Sequence, residues 1–307
     1  MILCADIGGT HARLALARPG TAELSNERHF RCAEYDGLGP ILKEYLAGTA
    51  TPASACLAVA GPIDEDGRGA RLTNLPWRID CRALEAATGI TRIRLVNDFA
   101  AAAMGVTACG AENLVTLQAG IPVADAPKLV IGAGTGLGMA VLIAEPGRWR
   151  VLPGEGGHVG LSPQSDDQLA IWQALRQRFG RVTAERAISG PGLAAIHSAM
   201  TGETMTPADI GRLASVDDNC AERRSVDMFL GYYGAFAGDM AMAVLARGGV
   251  YLAGGVTGHL LPLLLSSPFL ASFNDKAEHR ALAALMPVHA VREPQLGLKG
   301  AALLAGP

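Results

Sequence analysis

Ile2-Leu-Cys-Ala-Asp-Ile-Gly-Gly-Thr-His-Ala-Arg-Leu-Ala-Leu-Ala17 sets two apolar runs on either side of a Gly-Gly turn, which predicts a β-hairpin. The plan returns at Leu129-Val-Ile-Gly-Ala-Gly-Thr-Gly-Leu-Gly-Met-Ala-Val-Leu-Ile143. There too a strand enters a turn of glycine and threonine, and a strand leaves it. A repeat offset by about 125 residues predicts two similar α/β halves. Between the hairpins, residues 55–60 and 93–96 read as buried strands ending at Gly61-Pro62 and Asn97-Asp98, with a helix beginning at Phe99. In the second half, Ser162-Pro163 before Asp166 and Asp167 predicts a helix with that serine as N-cap and proline at N1, closed by Gly180. Thr206-Pro207 opens another, residues 225–246 are long and apolar, and Val250-Tyr-Leu-Ala-Gly-Gly255 is a strand running into a turn. Strands alternating with helices imply a largely parallel sheet covered on both faces.

Glycine is the compositional outlier, with 38 in 307 residues against an average of about 7%. The glycines follow no G-X-Y period, so a collagen-like chain is excluded. A net charge of −3 and a pI near 6.2 leave no basic footprint for nucleic acid and no polybasic patch for a membrane surface. The six cysteines, 4, 32, 56, 81, 109 and 220, form no CxxC or Cys/His knuckle, which argues against structural zinc and for small buried thiols in a reducing compartment. Met1 runs into an apolar strand without a basic segment, against an ordinary signal peptide. Residues 235–256, the most apolar stretch, are interrupted by Asp239, Arg247 and paired glycines, so no bilayer span is expected. The expectation is a soluble cytoplasmic protein without nucleic-acid or membrane partners.

Glycine-rich turns serve where backbone N–H groups must approach an anion that a Cβ would obstruct. Two nucleotide motifs are eliminated first. No Gly-Lys-Ser/Thr occurs, so there is no Walker A loop, and Gly132-Ala-Gly-Thr-Gly-Leu137 places leucine where the dinucleotide fingerprint needs its third glycine. Both turns here also lead into strands, whereas those motifs open helices. One such turn alone is an ordinary hairpin. Two facing turns with Gly and Thr at their tips would clamp a triphosphate between two domains, with Asp6 holding the phosphate-bound Mg2+ through water.

Asp98 falls at the carboxyl end of a strand, where ligands of open α/β sheets bind, and Asn97 beside it suits a sugar hydroxyl. The local alternative is that Asn-Asp caps the next helix. Glu155 and His158 lie among glycines where the chain can bend, so both side chains can reach one ligand, and their plain alternative is a solvated loop. Glu185 stands in the first turn of a short helix after Thr183, where an acid also offsets the helix dipole.

Asp6-Ile-Gly-Gly-Thr10, Leu95-Val-Asn-Asp-Phe99, Gly132-Ala-Gly-Thr-Gly136, Leu152-Pro-Gly-Glu-Gly-Gly-His158, Ala184-Glu-Arg186, Ser189-Gly-Pro-Gly192 and Leu252-Ala-Gly-Gly255 occur in this order. Together they resemble the bacterial glucokinases of the proteobacterial type, within the sugar-kinase, Hsp70 and actin ATPase superfamily. The resemblance spans residues 2 to about 304. It implies a two-domain α/β fold of the actin-like ATPase (ribonuclease H-like) kind with an interdomain active-site cleft. It also implies ATP- and Mg2+-dependent phosphorylation of glucose at its 6-hydroxyl. Ala5, Asp6, Ile7, Gly8, Gly9 and Thr10, with Gly134, Thr135 and Gly136, match the two phosphate loops, and Gly254 and Gly255 the adenosine loop. The family's catalytic base lies in its Asn-Asp-Phe segment, which carries over to Asp98. Asn97, Glu155, His158 and Glu185 become sugar ligands, and Thr73-Asn74-Leu-Pro-Trp77 places Asn74 near the sugar.

The expected domains are 1–108 with 293–307, and 109–292. The resemblance allows a homodimer. His11 stands where the family usually has asparagine, and the cysteine-rich zinc motif of related ROK kinases is absent. The alternatives are a broader hexose kinase acting on mannose, fructose or glucosamine, and a sugar-sensing regulator without turnover. A chain beginning at its first strand has no room for an N-terminal helix-turn-helix, and an intact Asp98 opposes a dead kinase.

Overall fold

The computed structural model describes residues 1–73 and 75–305. The opening hairpin pairs β1 (Ile2–Ile7) antiparallel with β2 (His11–Ala17), Ile7 opposite Ala12, and the Gly8 N–H donates to the His11 carbonyl at 3.0 Å. β3 (Leu24–Arg31) continues the meander. Helix α1 (Leu38–Leu46) leads to β4 (Ser54–Val59), parallel to β1. The short hairpin β5 (Gly69–Arg71) and β6 (Arg78–Asp80) and helix α2 (Cys81–Thr88) lead to β7 (Arg92–Asn97), parallel to β4. Helix α3 (Asp98–Val106) follows directly. The sheet order is β3-β2-β1-β4-β7.

Period-two alternation sorts β1 and β4 onto two covered faces. Leu3, Ala5, Ile7, Leu57 and Val59 join Ile41, Leu42 and Tyr45 in one core, while Cys4, Cys56 and Ala58 point to the other. Burial pushes the Cys4 and Cys56 thiols up to about 12, which keeps them protonated and inert. At the open edge, Ile93 donates its N–H to Glu85 at 2.8 Å and accepts from Arg68 at 3.0 Å, while Arg68 and Glu85 pair at 2.6 Å. The ion pair thus occupies the place of a neighbouring strand.

The second sheet repeats the plan. β8 (Leu114–Gln118) precedes a hairpin of β9 (Lys128–Ala133) and β10 (Leu137–Glu145), followed by β11 (Arg148–Gly154). Five helices follow: α4 (Asp166–Phe179), α5 (Ala184–Ala187), α6 (Gly190–Thr201), α7 (Pro207–Ala214) and the 24-residue α8 (Ala221–Val244). β12 (Val250–Ala253) runs parallel to β9, then come α9 (Gly255–Leu264), α10 (Phe269–Asn274), α11 (Arg280–Ala284) and β13 (Val288–Val291), parallel to β12. The order is β11-β10-β9-β12-β13-β8, with β10 antiparallel to β9 and β8 antiparallel to β13, so both sheets are mixed rather than largely parallel, and in each an antiparallel hairpin flanks three parallel strands. This is the predicted repeat.

One helix start differs from expectation. Ser165, not Ser162, caps α4: its hydroxyl accepts from the Gln168 N–H at 3.2 Å, and the Gln168 side chain accepts from Gln164 at 2.8 Å. Together these bonds satisfy the N–H groups of Gln164 and Gln168 at the helix start, and this cap outcompetes the Ser-Pro start three residues earlier. Thr183 precedes α5 without a side-chain cap.

α12 (Leu296–Leu304) lies across α3 and the second face of the first sheet. A Cβ on Gly300 would stand 1.7 Å from the Ala101 carbonyl oxygen, and one on Gly105 2.1 Å from that of Leu296. The helices therefore touch backbone to backbone. By contacts the chain forms two units, one of Met1–Gly110, Trp149–Pro153 and Glu293–Pro307, the other of Ala111–Arg148 and Gly154–Arg292. Among the described residues no helix is long and apolar enough to cross a membrane.

Candidate active site

In the first unit, Ile7, Val59 and Asn97 lie level at the carboxyl ends of adjacent parallel strands. That register places the Gly8–Thr10 turn, the Gly61-Pro62 turn and Asn97-Asp98 along one end of the sheet. In the first turn no hydrogen bond among the described residues takes up the N–H groups of Gly9 and Thr10, which suits an anion. His11 closes this turn through its backbone carbonyl, so the asparagine-to-histidine departure leaves the closing bond intact.

Asp6, just before the turn, is cross-strand partner of Arg13, and the two side chains meet at 2.9 Å. A second guanidinium nitrogen of Arg13 donates to the Pro294 carbonyl at 2.6 Å. Burial pushes the Asp6 carboxyl up and the Arg13 charge and hydrogen bond pull it back. A Cβ on Gly297 would stand 2.8 Å from Asp6 Oδ2, so glycine leaves the carboxylate its room. No cluster of three His, Cys, Asp or Glu side chains among the described residues forms a metal cage. One carboxylate with one oxygen on arginine fits an Mg2+ that arrives on phosphate and keeps its waters. Arg13 was not singled out in the sequence, although the hairpin register places it opposite Asp6.

Asn97 caps α3, its side-chain oxygen accepting from the Phe99 and Ala100 N–H groups at 2.9 and 3.1 Å. Asp98 is the first helical residue, and its Oδ1 also accepts from the Phe99 N–H, at 2.8 Å. Thr73 donates its N–H to the Ala60 carbonyl at 3.0 Å at this same sheet end. Asn74 lies outside the described residues.

The second unit gathers the other predicted residues. Gly134 closes its turn on the Gly136 carbonyl at 2.8 Å, and its own carbonyl accepts from Gly190 at 2.8 Å. Here too no hydrogen bond among the described residues takes up the N–H groups of Thr135 and Gly136. Leu137, next in chain, donates its N–H to Glu185 Oε2 at 2.9 Å. Glu155 and His158 face each other at 3.7 Å, both exposed. Gly157 holds their loop on β10, since a Cβ there would stand 2.2 Å from the Leu137 carbonyl oxygen. The Ala184 N–H donates to Val159 at 2.9 Å and Gly160 bridges Thr183, so the Glu155–His158 loop and the Glu185 helix run side by side. Ala253 lies beside Gly132, and Gly254, at φ +91, packs where a Cβ would meet the Ala133 carbonyl at 2.4 Å. Gly254 and Gly255 thus begin α9 beside the second turn. Ser189-Gly-Pro-Gly192 enters the sequence analysis only as part of the resemblance; here Gly190 anchors that turn.

A family model for glucokinases matches residues 3–306. The glucokinase of Yersinia enterocolitica is 35% identical over 97% of this chain and 94% of its own. A solved glucokinase from an Antarctic psychrotroph is 31% identical with a TM-score of 0.89, covering 99% of this chain and 98% of that one. A ROK family glucokinase from Streptomyces griseus, solved with glucose and AMPPNP, shares the fold at 20% identity and a TM-score of 0.67, covering 99% of this chain and 98% of that one.

Proposed function

Since the chain belongs to the glucokinase family, we propose that Asp98 is the base of its reaction, the phosphorylation of glucose at the 6-hydroxyl by ATP. As the 6-hydroxyl oxygen attacks the γ-phosphorus in line, the Asp98 carboxylate takes its proton. The bond from phosphorus to the leaving oxygen breaks, and ADP departs. Positioning and charge neutralisation supply most of the acceleration in such transfers, and a base adds about 10²–10⁴-fold.

The observation that carries this reading is the place of Asp98 at the start of α3. Asn97 holds the cap, and Asp98 follows it at the sheet end that also bears the first glycine turn. β1 and β7 are two strands apart, which sets them about 10 Å from each other. The paired N–H groups at Gly9-Thr10 and Thr135-Gly136 take the phosphates, with Ala5 and Ile7 framing the first turn and Gly254-Gly255 receiving the adenosine. Asp6 would hold Mg2+ through water. When bound, that ion neutralises charge developing on the phosphates. Asn97, Glu155, His158, Glu185 and Asn74 bond the sugar hydroxyls, for which carboxylate, amide and imidazole offer acceptors and donors.

Asp98→Asn tests the base. A coupled assay of ADP release over a panel of hexoses should show turnover at least about 100-fold lower, with glucose binding largely kept. Near-normal turnover would remove Asp98 from the mechanism, and a best substrate other than glucose would remove the glucose assignment.

A further inference from the structure

Glu185 has been read as a sugar ligand, and the inference here rests on that reading. Its carboxylate also holds the backbone of the second phosphate turn. The peptide plane between Gly136 and Leu137 is rigid and is tied at both ends. Its carbonyl accepts the Gly134 N–H at 2.8 Å, closing the turn, and its N–H donates to Glu185 Oε2 at 2.9 Å. Gly136 permits this approach, because a Cβ there would stand 2.6 Å from Oε2. The glutamate is itself anchored, its backbone carbonyl accepting from the Ser189 hydroxyl at 2.8 Å, and the next residue, Gly190, holds the Gly134 carbonyl. One short segment, Glu185 to Gly190, thus grips the turn at two points.

We propose that Glu185 is a positioning residue that couples the two substrates. One carboxylate oxygen holds the phosphate turn while the other meets a sugar hydroxyl. Glucose, by fixing the carboxylate, fixes the closing peptide of the turn and sets the Thr135 and Gly136 N–H groups for phosphate. Nucleotide therefore binds more tightly once glucose is present, and by linkage glucose binds more tightly with nucleotide. Without an acceptor sugar the Glu185 carboxylate is held from the side of the turn alone, so the turn takes ATP less tightly, which limits loss of the phosphoryl group to water.

Calorimetric titration of AMPPNP into the wild-type protein, with and without saturating glucose, should give an affinity ratio of about fivefold or more. In Glu185→Ala the ratio should collapse towards one, with glucose affinity also reduced. Glu185→Gln keeps an oxygen for the Leu137 N–H, so it should weaken glucose yet retain most of the ratio. Independently of any variant, the Leu137 amide resonance of ¹⁵N-leucine-labelled protein should move when glucose alone is added. An unchanged ratio in Glu185→Ala with weakened glucose binding would overturn the coupling while leaving the sugar-ligand reading intact. Unchanged glucose affinity in Glu185→Ala would overturn both. A wild-type ratio near one, or a Leu137 amide indifferent to glucose, would overturn the coupling directly.

Discussion

Gly300→Ala sets two effects of opposite sign against each other. In an open helix, alanine is favoured over glycine by about 0.8–1 kcal/mol. At Gly300 the new methyl would stand 1.7 Å from the Ala101 carbonyl oxygen, 2.5 Å from its carbon and 2.8 Å from the Gly105 nitrogen. All three are backbone atoms, so no rotamer change relieves the clash. Reaching the roughly 3.3 Å of an ordinary C–H···O approach means parting α3 and α12 by about 1.6 Å. A gap of about 0.5–1 Å already forfeits a quarter to a half of a dispersion well, and Leu298, Ala301 and Ala302 beneath the helix are fully buried. Because backbone must move, the overpacking loss falls at the upper end of its usual range, about 3 kcal/mol, which exceeds the propensity gain of about 1 kcal/mol and leaves a net loss of about 2 kcal/mol. At about 2–4 °C per kcal/mol, Tm falls by about 4–8 °C. Gly258 in α9 is the control, since a Cβ there meets nothing within 4 Å. Gly258→Ala should therefore gain about 0.4–1 kcal/mol. Scanning calorimetry of the three proteins at one pH and scan rate reads both shifts. A Gly300→Ala protein as stable as the wild type would refute the claim that backbone contact sets the spacing of these helices.

Two further outcomes follow from the fold. His289 on β13 bonds Thr116 at 3.0 Å, and burial, then the Lys128 charge, lowers its imidazole from the usual 6.5. Its depressed value adds stability above about pH 6.5 that is lost as the pH falls through the folded value, because only the unfolded chain takes up the proton readily. Urea unfolding between about pH 7 and pH 5 should thus vary less in His289→Gln than in the wild type, and equal slopes would refute this. Arg68→Ala leaves the Ile93 carbonyl and Glu85 without their guanidinium, a loss of about 1–3 kcal/mol. It should also raise edge-to-edge association, measured by light scattering at rising concentration. An unchanged Tm with unchanged scattering would show that the ion pair does not protect the edge.

The hairpin of the opening stretch and its repeat were legible because their glycines and apolar runs are local signals. The strand ends at Asn97-Asp98 and Ala253-Gly254 were legible for the same reason. Asp98 and Asn97 were not separable in the sequence, since either side chain can cap a helix, and only the backbone direction at the end of β7 assigns the cap to Asn97. The Ser162-Pro163 start failed because two serines competed, and the decision lay with Gln168, three residues beyond the second. Arg13 is silent in the sequence because its meaning depends on pairing register. Glu185 showed its acid but not its partner: the Leu137 N–H it holds is distant in sequence, and no composition or spacing announces it. The backbone contact of α12 with α3 was equally hidden, since Gly105 and Gly300 read as weak helix residues until they face each other.

The place of α12 also has a consequence in time. Arg94 on β7 donates to the Leu304 carbonyl, 210 residues further along. At about 5–20 residues per second of synthesis, that interval lasts about 10–40 s. During it the ribosome has already released β1, β4 and β7, and the face bearing Ile2, Cys4, Cys56 and Ala58 waits without its helix. The second unit emerges whole in the meantime. The unit made first is completed last, and its second sheet face stays uncovered by α12 until the final residues of the chain are made.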